Sequence, residues 1–107
     1  MAAGKRPPNT DEQGLPFPQE VIGRVWAKGS PIKGISPKLR RRDVCGAIID
    51  RASFGRRKTP FGWEIDHILP VSKGGGDDLD NLQPLHWMNN RSKSDDHPDW
   101  ECGLEAS

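Results

Sequence analysis

The run Trp63-Glu64-Ile65-Asp66-His67-Ile68, stopped by Pro70 and then by Gly74-Gly75-Gly76, limits the fold more than any other stretch. Its alternation of apolar and polar residues predicts a half-buried strand. A proline and three glycines cannot continue that strand, so a loop must follow. Residues 81–85, Asn-Leu-Gln-Pro-Leu, then read as a short return strand. Residues 86–94 contain neither Gly nor Pro and predict a helix carrying Trp87, Asn90, Arg91 and Lys93. The order is strand, loop, strand, helix, with Trp63, Leu82, Leu85 and Trp87 expected in the core and the glycines in a hairpin loop.

The rest of the chain is arranged around this unit. Residues 1–18 hold four of the ten prolines and few apolar residues, and are expected to be a disordered arm with no readable function. Residues 19–28 place Val21, Ile22, Val25 and Trp26 on one face of a short helix that Gly29 would stop. Residues 30–38, with Gly34 and two prolines, read as an extended connector. The apolar residues 44–49 are flanked by Arg40-Arg41-Arg42 and by Arg56-Arg57-Lys58, which would lie close together if the chain turns back at Gly46 as a basic hairpin. Residues 96–107 read as an acidic flexible tail.

The net charge of +1 conceals two unlike halves. Residues 1–60 carry 13 Lys/Arg against 5 Asp/Glu, and residues 61–107 carry 3 against 10. A basic run alone is an ordinary solvated face, and it becomes a candidate contact surface only beside a site that handles a polyanion. The acidic residues Asp77, Asp78 and Asp80 would face away from any polyanionic partner or serve the turn. With 107 residues and 33% hydrophobic content there is room for one modest core. Two distant cysteines do not make a secreted disulfide framework, and no apolar run is long enough for a signal peptide or a membrane span. A cytoplasmic protein without a membrane partner is expected.

The polar residues within the central unit carry the chemistry. Asp66 and His67 adjoin at a strand end, Asn81 follows His67 by fourteen residues, and Asn90 follows Asp66 by twenty-four. With the glycine loop, Asn-Leu-Gln and Asn-x-x-Lys, this ordered set resembles the HNH nucleases, in the variant whose third letter is Asn, over roughly residues 24–95. The resemblance implies an α+β fold, a ββα-metal core behind a short helix and a basic hairpin, with the nuclease domain at residues 19–95. It implies that Asp66 and Asn90 are metal ligands, that His67 is the general base, and that Asn81 orients it. The residue chemistry agrees: a neutral imidazole can take a proton from water, while a carboxylate and an amide oxygen suit Mg²⁺ or Mn²⁺. Neighbours on a strand point to opposite faces, so Asp66 and His67 can share a site only where the strand ends or bends.

Many HNH relatives also bind a structural zinc through two Cys-x-x-Cys pairs. Here Cys45 has no partner two or three residues away, and His86 and Asn89 occupy the second pair's positions, so structural zinc is not expected. No zinc spacing joins Cys102 and His97 to Cys45 and His86. The implied activity is metal-dependent hydrolysis of double-stranded DNA by a monomer that nicks, leaving 5′-phosphate and 3′-hydroxyl ends. Arg40, Arg41, Arg42, Arg56, Arg57, Lys58, Arg91 and Lys93 are the candidate DNA contacts. Two rivals keep the same fold: a non-catalytic DNA-binding module and a zinc-stabilised interaction domain.

Overall fold

The computed structural model describes residues 7–106, so residues 1–6 and 107 of the expected arm and tail lie outside the described residues. The first element is helix α1, Gln19–Trp26, entered through the fixed backbone of Pro18; it buries Ile22, Val25 and Trp26, the apolar face read from the sequence. The connector after it contributes a strand, β1 (Ser30–Pro31), which pairs antiparallel with β2 (Arg40–Arg42); β2 pairs in turn with β3 (Ile48–Asp50). Between β2 and β3 the chain reverses at residues 43–47, where Gly46 has φ +86° and Asp43 Oδ1 accepts from the backbone amides of Cys45 and Ala47. Aspartate at the start of a turn and glycine three residues on is the pattern that such a reversal favours.

A second, two-stranded antiparallel sheet pairs β4 (Trp63–His67) with β5 (Leu82–His86), in a register that sets Trp63 opposite His86 and His67 opposite Leu82. Pro84 is tolerated within β5 because each strand of a two-stranded sheet has a free edge. Helix α2, Trp87–Lys93, follows directly. His86 starts it, with Nδ1 accepting from the Met88 amide at 3.1 Å while Nε2 donates to the Pro60 carbonyl at 2.8 Å, which fixes the ring's tautomer. The described residues thus form an α+β domain of two helices and two small sheets, with a ββα unit at its C-terminal half.

Strand β4 is buried along its whole length, not on one face as the alternation predicts. Trp63 and Ile65 join Phe17, Ile22, Val25, Trp26, Ile49 and Leu82 in the core, with the Trp63 ring 5.2 Å from Trp26 and 4.9 Å from Phe54. The polar side chains Glu64 and Asp66 are covered instead by polar partners, Asn90 and Lys93 of α2 among them. A polar alternation therefore marks a face that is paired rather than wet.

Both ends also differ from expectation. Within the expected disordered arm, Phe17 is buried in the core, Thr10 bridges to Pro16, and the Asn9 side chain accepts from the Ile65 amide at 2.7 Å. One aromatic anchor and one amide on the β4 backbone hold a segment whose composition alone predicts disorder. The expected flexible tail is held by a disulfide between Cys45 and Cys102, and by Asn89, whose side chain exchanges hydrogen bonds with the backbone N–H and C=O of Leu104. Fold proximity brings together two cysteines 57 residues apart, which no local spacing could signal.

Candidate active site

Strand β4 ends at His67, and this termination lets Asp66 and His67 border one cleft although their side chains leave opposite faces. The cleft has a volume of about 740 Å³ and is bordered by Asp66, His67, Asn90, Arg57 and Arg91, with Pro7 to Asn9 forming part of its wall. Asp66 is almost wholly buried. Its Oδ1 lies 3.3 Å from Lys93 Nζ, and its Oδ2 accepts from Gln83 at 2.9 Å. Burial raises its carboxyl above the usual carboxylate range, and the Gln83 hydrogen bond and the Lys93 charge only partly oppose this.

Glu64 sits two residues earlier on the same face and was not singled out from the sequence. It accepts from Asn90 Nδ2 at 2.8 Å and receives both arms of the Arg57 guanidinium at 2.7 and 3.1 Å, a fork that raises the Arg57 pKa. Asn90 is thereby aimed across β4, which leaves its amide oxygen available as a metal ligand. An acidic residue between Trp63 and Ile65, both apolar, was the available signal.

On the other face His67 meets Asp77: Nε2 and Oδ1 are 2.8 Å apart, and the Phe17 ring centroid lies 5.9 Å from the imidazole. Asp77 therefore faces the site, contrary to the expectation that the acidic loop points away. Asn81 holds the loop rather than His67. Its side chain accepts from the Leu69 amide at 2.8 Å and donates to the carbonyls of Leu69 and Gly76 at 3.1 and 2.9 Å. Gly75 is required where that loop closes, because a Cβ there would lie 1.7 Å from the Leu69 carbonyl oxygen.

The candidate DNA contacts fall into three groups. Lys93 is buried, with Nζ on Asp66 and on the His67 carbonyl at 3.1 Å, so it cannot reach a phosphate as the sequence reading expected. Arg41 donates to the carbonyls of Pro37, Ala27 and Gly29, Arg42 to that of Gly46, Arg40 lies 4.6 Å over the Phe61 ring, and Arg57 is paired with Glu64. These four are half-tethered by the fold. Arg56, Lys58 and Arg91 are exposed, Arg91 at the cleft and over the Trp87 ring.

Among the described residues no group of three or more His, Cys, Asp or Glu could hold a metal ion. Cys45 is taken by the disulfide, His86 by its backbone contacts, and Asn89 by Asp43 and Leu104. What remains at the cleft is one carboxylate and one amide oxygen, a hard-donor pair of the kind Mg²⁺ or Mn²⁺ accepts when water and phosphate complete the shell.

This hairpin and helix, with Asp66 and His67 closing the first strand and Asn90 on the helix, form a ββα module. The family model described as HNH endonuclease matches residues 54–96, which take in Asp66, His67, Asn81 and Asn90, and this segment is an HNH-family domain. HNH domains act on DNA as nucleases or DNA-binding modules, and the nucleases generally use a divalent metal ion. No curated protein and no solved structure matches the chain. No helix among the described residues is long and apolar enough to cross a membrane.

Proposed function

We propose that the protein is a metal-dependent endonuclease that hydrolyses phosphodiester bonds of double-stranded DNA, with His67 as general base and Asp66 and Asn90 as the metal-holding residues. The observation that carries this reading is that Asp66, His67 and Asn90, from two different elements, border one cleft beside the cation of Arg91. His67 takes a proton from the attacking water, a contribution worth about 10²–10⁴ in rate. A divalent ion held by the Asp66 carboxylate and the Asn90 amide oxygen would supply positive charge for the phosphate and the leaving oxygen. Glu64 keeps Asn90 aimed at the cleft, and Asn81 keeps the loop behind His67 closed. Arg91, Arg56 and Lys58 are the side chains available to phosphates, and their contacts give affinity with little sequence information.

One chain carries one such site and attacks one strand at a time, so we expect a monomer that nicks and leaves 5′-phosphate and 3′-hydroxyl ends. The test is to incubate supercoiled plasmid with the protein in Mg²⁺, Mn²⁺, Zn²⁺ or EDTA. Nicked circles should build up before linear DNA, only with the divalent ion present, and His67→Ala should lower the rate by about two to four orders of magnitude while DNA binding is kept. Binding without cleavage in every metal would favour the non-catalytic DNA-binding module.

A further inference from the structure

Resting on that nuclease reading, we infer that Asp77 is the positioning residue of His67, and that the segment between Asn9 and Phe17 holds Asp77 in place. Four observations converge. Asp77 Oδ1 lies 2.8 Å from His67 Nε2. The Glu12 backbone amide donates to both Asp77 carboxylate oxygens, at 3.0 and 3.2 Å, and the Asp77 amide donates back to Glu12 Oε2 at 3.2 Å. Phe17 packs against the imidazole from the same segment. Asn9 ties the start of that segment to the Ile65 amide, two residues before His67.

The chemistry follows from what each group can do. A carboxylate only accepts, so the ring hydrogen of neutral His67 must reside on Nε2, and the lone pair that can take a proton is then on Nδ1. An imidazole without this partner would divide between two tautomers and rotate about its χ2 angle, and only one arrangement presents a basic nitrogen in the working direction. Asp77 is itself on a glycine-rich loop. Its carboxylate keeps one orientation because the Glu12 amide bridges both oxygens. The chain thus uses a segment outside the ββα unit to set the proton-accepting atom within it.

The experiment uses the full chain and two readouts, one independent of cleavage. Nitrogen-15 spectra of the His67 ring, taken without metal at about pH 9, above the ordinary imidazole range, should show the hydrogen on Nε2 in the wild type and a mixture of tautomers in Asp77→Ala. The Glu12 amide should exchange slowly in the wild type and quickly in that variant. In plasmid nicking, Asp77→Ala should lose kcat by about 10–100-fold, as removal of a residue that orients a site residue does, with KM within about twofold. Asp77→Asn, which keeps an accepting Oδ1, should retain the Nε2 hydrogen and recover most of the rate. A wild-type ring with its hydrogen on Nδ1, or Asp77→Ala with unchanged kcat, would overturn the inference. Absence of cleavage by the wild type would instead remove the nuclease reading and leave the ring and amide measurements to decide the Asp77 contact.

Discussion

Replacing Asp43 by Ala should cost a large share of the stability of this domain. The side chain is buried and accepts four hydrogen bonds: Oδ1 from the amides of Cys45 and Ala47 at 3.0 and 2.9 Å, and Oδ2 from the His86 amide and Asn89 Nδ2, both at 2.9 Å. It joins the β2–β3 turn to the point where β5 becomes α2. Three of the four donors are buried, and each one left without an acceptor costs about 1–3 kcal/mol. Allowing for partial relaxation and water entry, Asp43→Ala should lose about 4–6 kcal/mol, against the roughly 5–15 kcal/mol that holds a typical domain together. Asp43→Asn is the sharper control. It is isosteric, but an Nδ2 in place of Oδ2 would point a donor at the His86 amide and at Asn89, so it should cost nearly as much as Ala despite its shape. Urea unfolding followed by linear extrapolation measures both. If both variants fell within about 1 kcal/mol of wild type with an unchanged m-value, the site would be flooded or rearranged and the reasoning refuted.

Lys93→Met should destabilise the metal-free protein by about 3–5 kcal/mol at neutral pH, because it leaves the buried Asp66 carboxylate without its cation. Burial already raises the Asp66 carboxyl, and loss of the Lys93 charge would raise it further, so the deficit should be full at high pH and shrink as pH falls through the variant's value to the raised wild-type value, below which the carboxyl is protonated with or without Lys93; urea midpoints between about pH 4 and 8 would show this or its opposite. Asp66→Ala should abolish the rise in melting temperature that saturating Mn²⁺ gives the wild type, a stabilisation of about 2.7 kcal/mol at a hundredfold excess over Kd; an undiminished rise would remove Asp66 as a ligand. Replacing Arg56, Lys58 and Arg91 together by Ala should lower the slope of log K against log salt by up to about 0.9 per lost phosphate contact, as measured by DNA-binding titrations at several salt concentrations, whereas an unchanged slope would make them a solvated face. Reducing the Cys45–Cys102 bond should lower stability by roughly 4 kcal/mol on the chain-entropy view, measured as a shift in urea midpoint on adding reductant.

The parts of the fold that were legible are those whose cause is local. Strand, loop, strand and helix between residues 63 and 93 followed from a change of period at Pro70 and the glycines, and α1 followed from its apolar face. Asp66, His67 and Asn90 could be chosen because their order and spacing form a pattern. Asp43 could not, for its partners lie at residues 45, 47, 86 and 89, and nothing in a basic stretch marks one acid as a buried hub. Lys93 departs from its sequence expectation for a related reason. A lysine at the end of a helix reads as solvent-facing, yet this one lies one turn beyond Asn90 on the face that covers β4, where the Asp66 carboxylate and the His67 carbonyl receive it. Arginines 41 and 42 show the same limit, since a charge run records composition but not the carbonyls it will meet.

These tertiary contacts also determine how much of the chain the site needs. The family segment begins at residue 54, but five of the eight residues in the core cluster, Phe17, Ile22, Val25, Trp26 and Ile49, precede it. A fragment of residues 54–96 would expose one side of Trp63 and Ile65 and lose Asp43 from the β5–α2 junction. It would also lose Glu12 from Asp77. At about 40 residues a chain without metal or disulfide support seldom buries enough apolar surface to fold, and this fragment would leave Cys45 and Cys102 both behind. The ββα unit carries the candidate site residues, while the N-terminal half holds them in position, so the smallest piece that keeps the cleft must reach back at least to Pro7.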